Sequence, residues 1–167
     1  MRIAGKSVAL AVLTAAVLAV CSAPLRAQAL DKKVLSFAAA RKMAAAAQEA
    51  ARVRKVEVVI VVVDDGGHII LLERMDGAQV ASVNVGIGKA RTAAIYRRPS
   101  KVFEDQIRNG RVAALALADA TPLQGGIPVL LDGKVIGAIG VSGDSPQIDE
   151  DIAVEGARAF KEEADRR

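Results

Sequence analysis

At 167 residues, with 52% hydrophobic and 25% charged residues, the chain has the length and composition of one globular domain. Its formal net charge of +4 falls to +1, 20 basic against 19 acidic residues, once Arg2, Lys6 and Arg26 of the first 29 residues are set aside. That balance gives no case for nucleic-acid binding. Cys21 is the single cysteine. The segment beyond it is therefore excluded from disulfides, thiolate nucleophiles and Cys-ligated metals.

Residues 1–29 read as a signal peptide. Arg2 and Lys6 precede a 13-residue apolar or small-residue run, Val8–Val20, broken only by Thr14, and Ala27-Gln28-Ala29 offers a small-x-small cleavage site. A membrane-spanning helix needs about 20 apolar residues, so no span is expected. Leu18-Ala19-Val20-Cys21 resembles a lipoprotein box, but Val20 stands where Gly, Ala or Ser normally precedes the cysteine. Cleavage after Ala29 is the better fit. A soluble periplasmic or secreted protein, residues 30–167, is the expectation.

After a short leader, Leu30–Leu35, Ser36 is placed to cap a helix running to about Arg52, with Ala39, Met43, Ala47 and Ala50 at helical spacing. Glu57–Met75 (EVVIVVVDDGGHIILLERM) then reads as two apolar strands about an Asp65-Gly66-Gly67 turn that supplies positive φ. Ala81–Arg97 reads as a second helix of small residues, and Pro99 ends it. Ser100 opens a short third helix, Lys101–Asn109, closed by Gly110. Arg111–Ala118 has helical composition but a position that suits an edge strand. Ile127–Val141 (IPVLLDGKVIGAIGV) repeats the hairpin device around Asp132-Gly133. Ser145 and Pro146 open a last helix to about Glu163, with the stripe Ile148, Ile152, Gly156, Phe160. With no strand–helix–strand alternation, the expected fold is α+β: a largely buried five-stranded antiparallel sheet with helices on its faces.

Several motifs lead nowhere. Gly86-Ile87-Gly88-Lys89-Ala90 lacks the first glycine (Val83) and the Ser/Thr of a phosphate loop. Gly140-Val141-Ser142-Gly143-Asp144 lacks the closing glycine of a nucleophile elbow. Turn chemistry explains Asp64-Asp65, and compensation of a helix dipole explains Asp149-Glu150-Asp151. Met43 and Met75 read as core residues.

Three stretches in order, Val62–Gly77 (VVDDGGHIILLERMDG), Lys89–Ser100 (KARTAAIYRRPS) and Pro122–Asp149 (PLQGGIPVLLDGKVIGAIGVSGDSPQID), resemble the GlcG/HbpS-like family of heme-binding domains, which includes C-terminal domains of PduO-type proteins. The resemblance covers nearly all of the chain beyond residue 29. It implies a profilin-like α/β fold, a heme cofactor and a homo-oligomer. Tyr96-Arg97 stands where the family often has Phe-Gly, and Ile95 where a small residue is common.

Under that reading the candidate iron ligands are His68, the single histidine, Tyr96 as a phenolate, and Thr92 as a weaker hydroxyl. The bland alternatives are a turn-flanking histidine and a threonine bonded to the carbonyl one turn back. Arg91, Arg97 and Arg98 are candidates for the heme propionates. Covalent attachment would need Cys-x-x-Cys-His, which is absent. Phe37, Phe103, Phe160 and Tyr96 are the only aromatics, too few to wall a deep crevice, so a shallow groove at a subunit interface is expected. The small and apolar helix Ala81–Arg97 is the expected contact of an even-numbered homo-oligomer. Two other functions stay open: an accessory role in which Arg74, Lys89 or His68 handles a small organic acid, and a structural partner of another periplasmic protein.

Overall fold

The structure, a computed structural model, describes residues 31–165, and the expected signal peptide with Cys21 lies outside them. In chain order, the unit from Lys33 onward contains α1 (Phe37–Arg54), β1 (Val59–Asp64), β2 (Ile69–Arg74), α2 (Ser82–Ile95), α3 (Lys101–Arg108), a 3-10 turn (Val112–Ala116), β3 (Gly126–Leu131), β4 (Lys134–Ser142) and α4 (Pro146–Ala164). No helix among the described residues is long and apolar enough to cross a membrane.

The sheet is antiparallel with order β2-β1-β4-β3. It therefore has four strands, not five. Arg111–Ala118, the segment that suited an edge strand, forms the 3-10 turn instead. Gly110 (φ 93°) ends α3, and Arg111 N–H folds back onto the Gln106 carbonyl at 2.8 Å. The next five residues, Val-Ala-Ala-Leu-Ala, include one that is β-branched, too little to favour an extended strand. β3 is left as an edge, where Pro128 is tolerated.

The two hairpins join through their inner strands, with Val59 opposite Ser142 and Val63 opposite Ala138. β1 is buried on both faces. Val58, Ile60 and Val62 pack with Ile139 and Val141 against α1 and α4, while Val59, Val61 and Val63 pack with Ala138 against α2. β2 is only half-buried, with Ile69 and Arg74 exposed, so the hairpins are not equally internal. The second turn has positive φ at both Asp132 (50°) and Gly133 (73°), as a two-residue hairpin turn requires. In the first turn only Gly67 (81°) does, and the Asp64 carboxylate organises the rest by accepting from Gly66 and His68 N–H at 2.9 Å each.

Two helix starts follow the sequence, while Ser100 makes no side-chain capping bond to α3 and its hydroxyl instead accepts Gly126 N–H at 2.8 Å. Ser36 Oγ accepts from Ala39 N–H at 3.2 Å, and α4 begins at Pro146. Met43 is fully buried between α1 and the sheet, and Met75 is partly buried against the same core. The small residues of α2 bring its backbone onto the sheet. At Gly140 a Cβ would stand 2.5 Å from Gly86 O and 2.8 Å from Ala90 Cβ. That close approach fixes which α2 side chains reach the loops on either side.

Candidate functional site

α2 carries five of the six candidate residues, or stands directly before them, and they turn toward different neighbours. Arg91 reaches the first hairpin turn. Its Nε donates to Gly67 O at 3.4 Å, and a Cβ on Gly67 would stand 2.8 Å from Arg91 Cγ. His68 is exposed beside that turn, so the structure joins His68 and Arg91 to one surface.

Tyr96 caps the C-terminal end of α2 and turns elsewhere. Its hydroxyl donates to Ala118 O at 2.7 Å, and its ring meets Phe103 edge-on at 5.0 Å. The Arg98 guanidinium lies 5.9 Å from the Phe103 centroid, and its Nε donates to Tyr96 O at 3.1 Å. Arg97 is exposed in a left-handed conformation (φ 56°). Thr92 is fully buried and committed: its hydroxyl donates to Gly88 O at 2.7 Å and accepts from Thr121 N–H at 2.7 Å. That is the threonine-to-carbonyl bond one turn back. An open groove of about 680 Å³ between β3 and α4, lined by Leu130, Val154 and Phe160 among others, contains none of the six.

The chemistry that the sequence reading missed lies under the loop before β3. Lys89 is 4% exposed and Asp149 2%. Nζ of Lys89 donates to Asp149 Oδ2 at 2.7 Å and to Val141 O at 3.0 Å, and the other carboxylate oxygen accepts Asp144 N–H at 3.0 Å. Burial pushes the Asp149 carboxyl above its ordinary value, although Lys89 and the Asp144 N–H pull it down. Asp149 is thus an ion-pair partner rather than simple dipole compensation, and Lys89 is not open to a small organic acid. Arg74, by contrast, is exposed at the end of β2. One sequence signal could have flagged Lys89. It falls on the face Ser82, Gly86, Ala90, Ala93, where every other residue is small and buried.

Next to this pair, Gln124 is 5% exposed, its N–H donating to Glu104 Oε2 at 2.6 Å and its amide to Gln147 Oε1 at 3.1 Å. No group of three or more His, Cys, Asp or Glu among the described residues is arranged to hold a metal ion.

An antiparallel sheet clad by helices, with this arginine-rich helix end, makes a small α+β domain. The chain belongs to the HbpS-like family, described as "Haem degrading protein HbpS-like", whose model matches residues 35–158. It is 44% identical over 75 residues to Protein GlcG of Escherichia coli K12. That match covers 45% of this chain and 56% of GlcG, so the chain spans just over half the length of that relative. A crystal structure of a Streptomyces reticuli HbpS double mutant superposes with a TM-score of 0.73 at 31% identity, over 82% of this chain and 96% of that one. The crystal structure of a PduOC:heme complex gives a TM-score of 0.70 at 29% identity, over 76% of this chain and 95% of that one.

Proposed function

We propose that this chain is an exported heme-binding protein, acting in scavenging, storage or sensing rather than as a catalyst. The observation that carries the reading is the Tyr96–Phe103–Arg98 arrangement: a phenol, an aromatic platform and a guanidinium within one contact of each other. Tyr96 and Arg98 suit two demands of a heme, an oxygen ligand for ferric iron and a propionate partner, and Phe103, buried behind them, holds both in place. Arg97 is exposed next to them as a second propionate partner. Family membership and the fold of the heme-complexed relative support the same ligand.

For Tyr96 to act as the ligand, its hydroxyl must exchange Ala118 O for iron, so binding displaces the segment just after the 3-10 turn. Thr92 would have to break two short hydrogen bonds, which ranks it last of the three candidates. His68 with Arg91 is the competing site, since an exposed imidazole stands there beside a cation.

Heme titration of the purified protein tests the reading. Saturable binding with a Soret band that shifts in Tyr96→Phe and persists in His68→Ala supports it. Loss of the band in His68→Ala alone moves the site to the first hairpin turn, and no saturable binding in the wild type refutes heme as the ligand. Export and assembly belong to the same proposal. Intact mass should show a start at Leu30 or Gln28, and light scattering should show a homo-oligomer that uses α2.

A further inference from the structure

We propose that the segment of the 3-10 turn, residues 112–118, and the arginines that bracket it form a docking surface for an anionic lipid bilayer.

Seven consecutive side chains here, Val-Ala-Ala-Leu-Ala-Leu-Ala, carry no polar group. Among them only Ala114 is buried, while Val112 and Leu115 are 64% and 65% exposed. In a 3-10 turn, side chains three residues apart eclipse, so these two stand side by side as one apolar ridge. Both ends of the segment are pinned. Arg111 N–H donates to Gln106 O of α3 at 2.8 Å, and the Tyr96 hydroxyl donates to Ala118 O at 2.7 Å. The fold therefore presents the ridge, and apolar surface presented in this way marks an interaction site.

The charge around the ridge names the partner. Arg108 and Arg111 stand at its leading end, and the bond from Tyr96 to Ala118 O brings Arg97 and Arg98 to its trailing end. All four are exposed. Lys101 is balanced by Asp105 at 3.1 Å. The other acids are Glu104, which accepts Gln124 N–H at 2.6 Å, and Asp119, exposed just past the segment. The rim is thus predominantly cationic.

An anionic bilayer fits both features. Its headgroups pair with the guanidinium groups, whose stems lie along apolar surface, while the ridge enters the acyl boundary. A bilayer also demands no matching shape, which suits two side chains standing out from a turn. A second copy fits worse: whichever ends meet across a two-fold axis, arginines face arginines. Val112, Leu115, Arg108 and Arg111 lie outside the residues proposed for heme, so this surface stands or falls separately.

Co-sedimentation of the purified protein with vesicles tests it. Vesicles of phosphatidylglycerol mixed with phosphatidylcholine should carry the protein down, phosphatidylcholine alone should not, and added salt should weaken the binding. Val112→Ser with Leu115→Ser should abolish binding. Arg108→Ala with Arg111→Ala should weaken it by about fivefold for each arginine removed. Arg41→Ala with Lys42→Ala, an equal change of charge at exposed positions of α1, should leave it unchanged. No binding to the mixed vesicles, equal binding to phosphatidylcholine alone, or an equal loss in the α1 variant would each overturn the proposal. If the wild type ignores vesicles and the serine variant turns an oligomer into a monomer in light scattering, the face belongs to a second copy. Binding to soluble polyglutamate as tight as to the mixed vesicles, and equally lost in the serine variant, would assign it to an acidic protein instead.

Discussion

Lys89 and Asp149, 60 residues apart in sequence, meet at 2.7 Å in the interior and join α2 to the start of α4. Both side chains are almost wholly buried, so neither charge has bulk water as an alternative partner. Removing one member leaves the other buried and uncompensated. Lys89→Met or Asp149→Leu should each lower the unfolding free energy by about 3–5 kcal/mol, and the two together should recover much of that loss. Urea unfolding of the four proteins measures the cycle. Single variants that unfold like the wild type would show that the pair contributes nothing.

Glu150 should leave a signature in equilibrium stability. Its carboxyl is raised in the folded state by burial, so the folded protein holds the proton more tightly than the unfolded chain. Glu150's contribution is therefore fully present below the ordinary glutamate value and is lost as pH rises through the folded value. Glu150→Gln should unfold like the wild type at acid pH and become progressively more stable than it toward neutrality. Denaturant midpoints across that range check the sign, and a difference that shrinks with rising pH would be the wrong one.

Gly140 is a point where no side chain fits. With Gly86 O at 2.5 Å and Ala90 N at 2.6 Å from an added Cβ, Gly140→Ala must push α2 off the sheet. The expected loss is about 1–3 kcal/mol, read as a lower thermal midpoint. Gly133→Ala, which meets nothing within 4 Å, provides the comparison in which only the left-handed backbone is strained.

Tyr96→Phe removes the bond to Ala118 O. Because Ala118 is exposed, water replaces the donor, and the stability loss should stay near the low end of about 0.5–1.5 kcal/mol. A large change in the heme spectrum with so small a change in the melting curve would separate ligation from folding. Arg98→Ala should weaken heme binding with the Soret position unchanged, since a propionate partner does not touch iron.

Much of this architecture was legible in the chain. The valine-rich arms, Asp132-Gly133, Ser36 and Ser145-Pro146 each carry a local signal, and the hairpins and end helices appear where those signals put them. The segment Arg111–Ala118 misled because an edge position and an alanine-rich composition favour different conformations, and contacts with α3 decided between them. Thr92 and Tyr96 were identifiable as polar residues in a matched stretch. The bond from Thr92 to Gly88 O, one turn back, was among the alternatives read from the chain, whereas the bonds of Thr92 with Thr121 N–H and of Tyr96 with Ala118 O depend on a loop whose path is not written locally. Asp149 was harder still, for an acid at a helix start has a sufficient exposed role, and its burial depends on Lys89 and Gly125, both distant in sequence.

The seam between β1 and β4 has a kinetic consequence. Each hairpin closes over a short turn, but Val59 finds Ser142, and Val62 finds Ile139, only after most of the chain between them has been gathered in. The entropy of closing so long a loop must be met before the central strands reward it. Folding should thus be limited by union of two preformed halves. Trimming Val62 to Ala would slow that step, while changes at the Asp132-Gly133 turn would shift the population of one half before they meet.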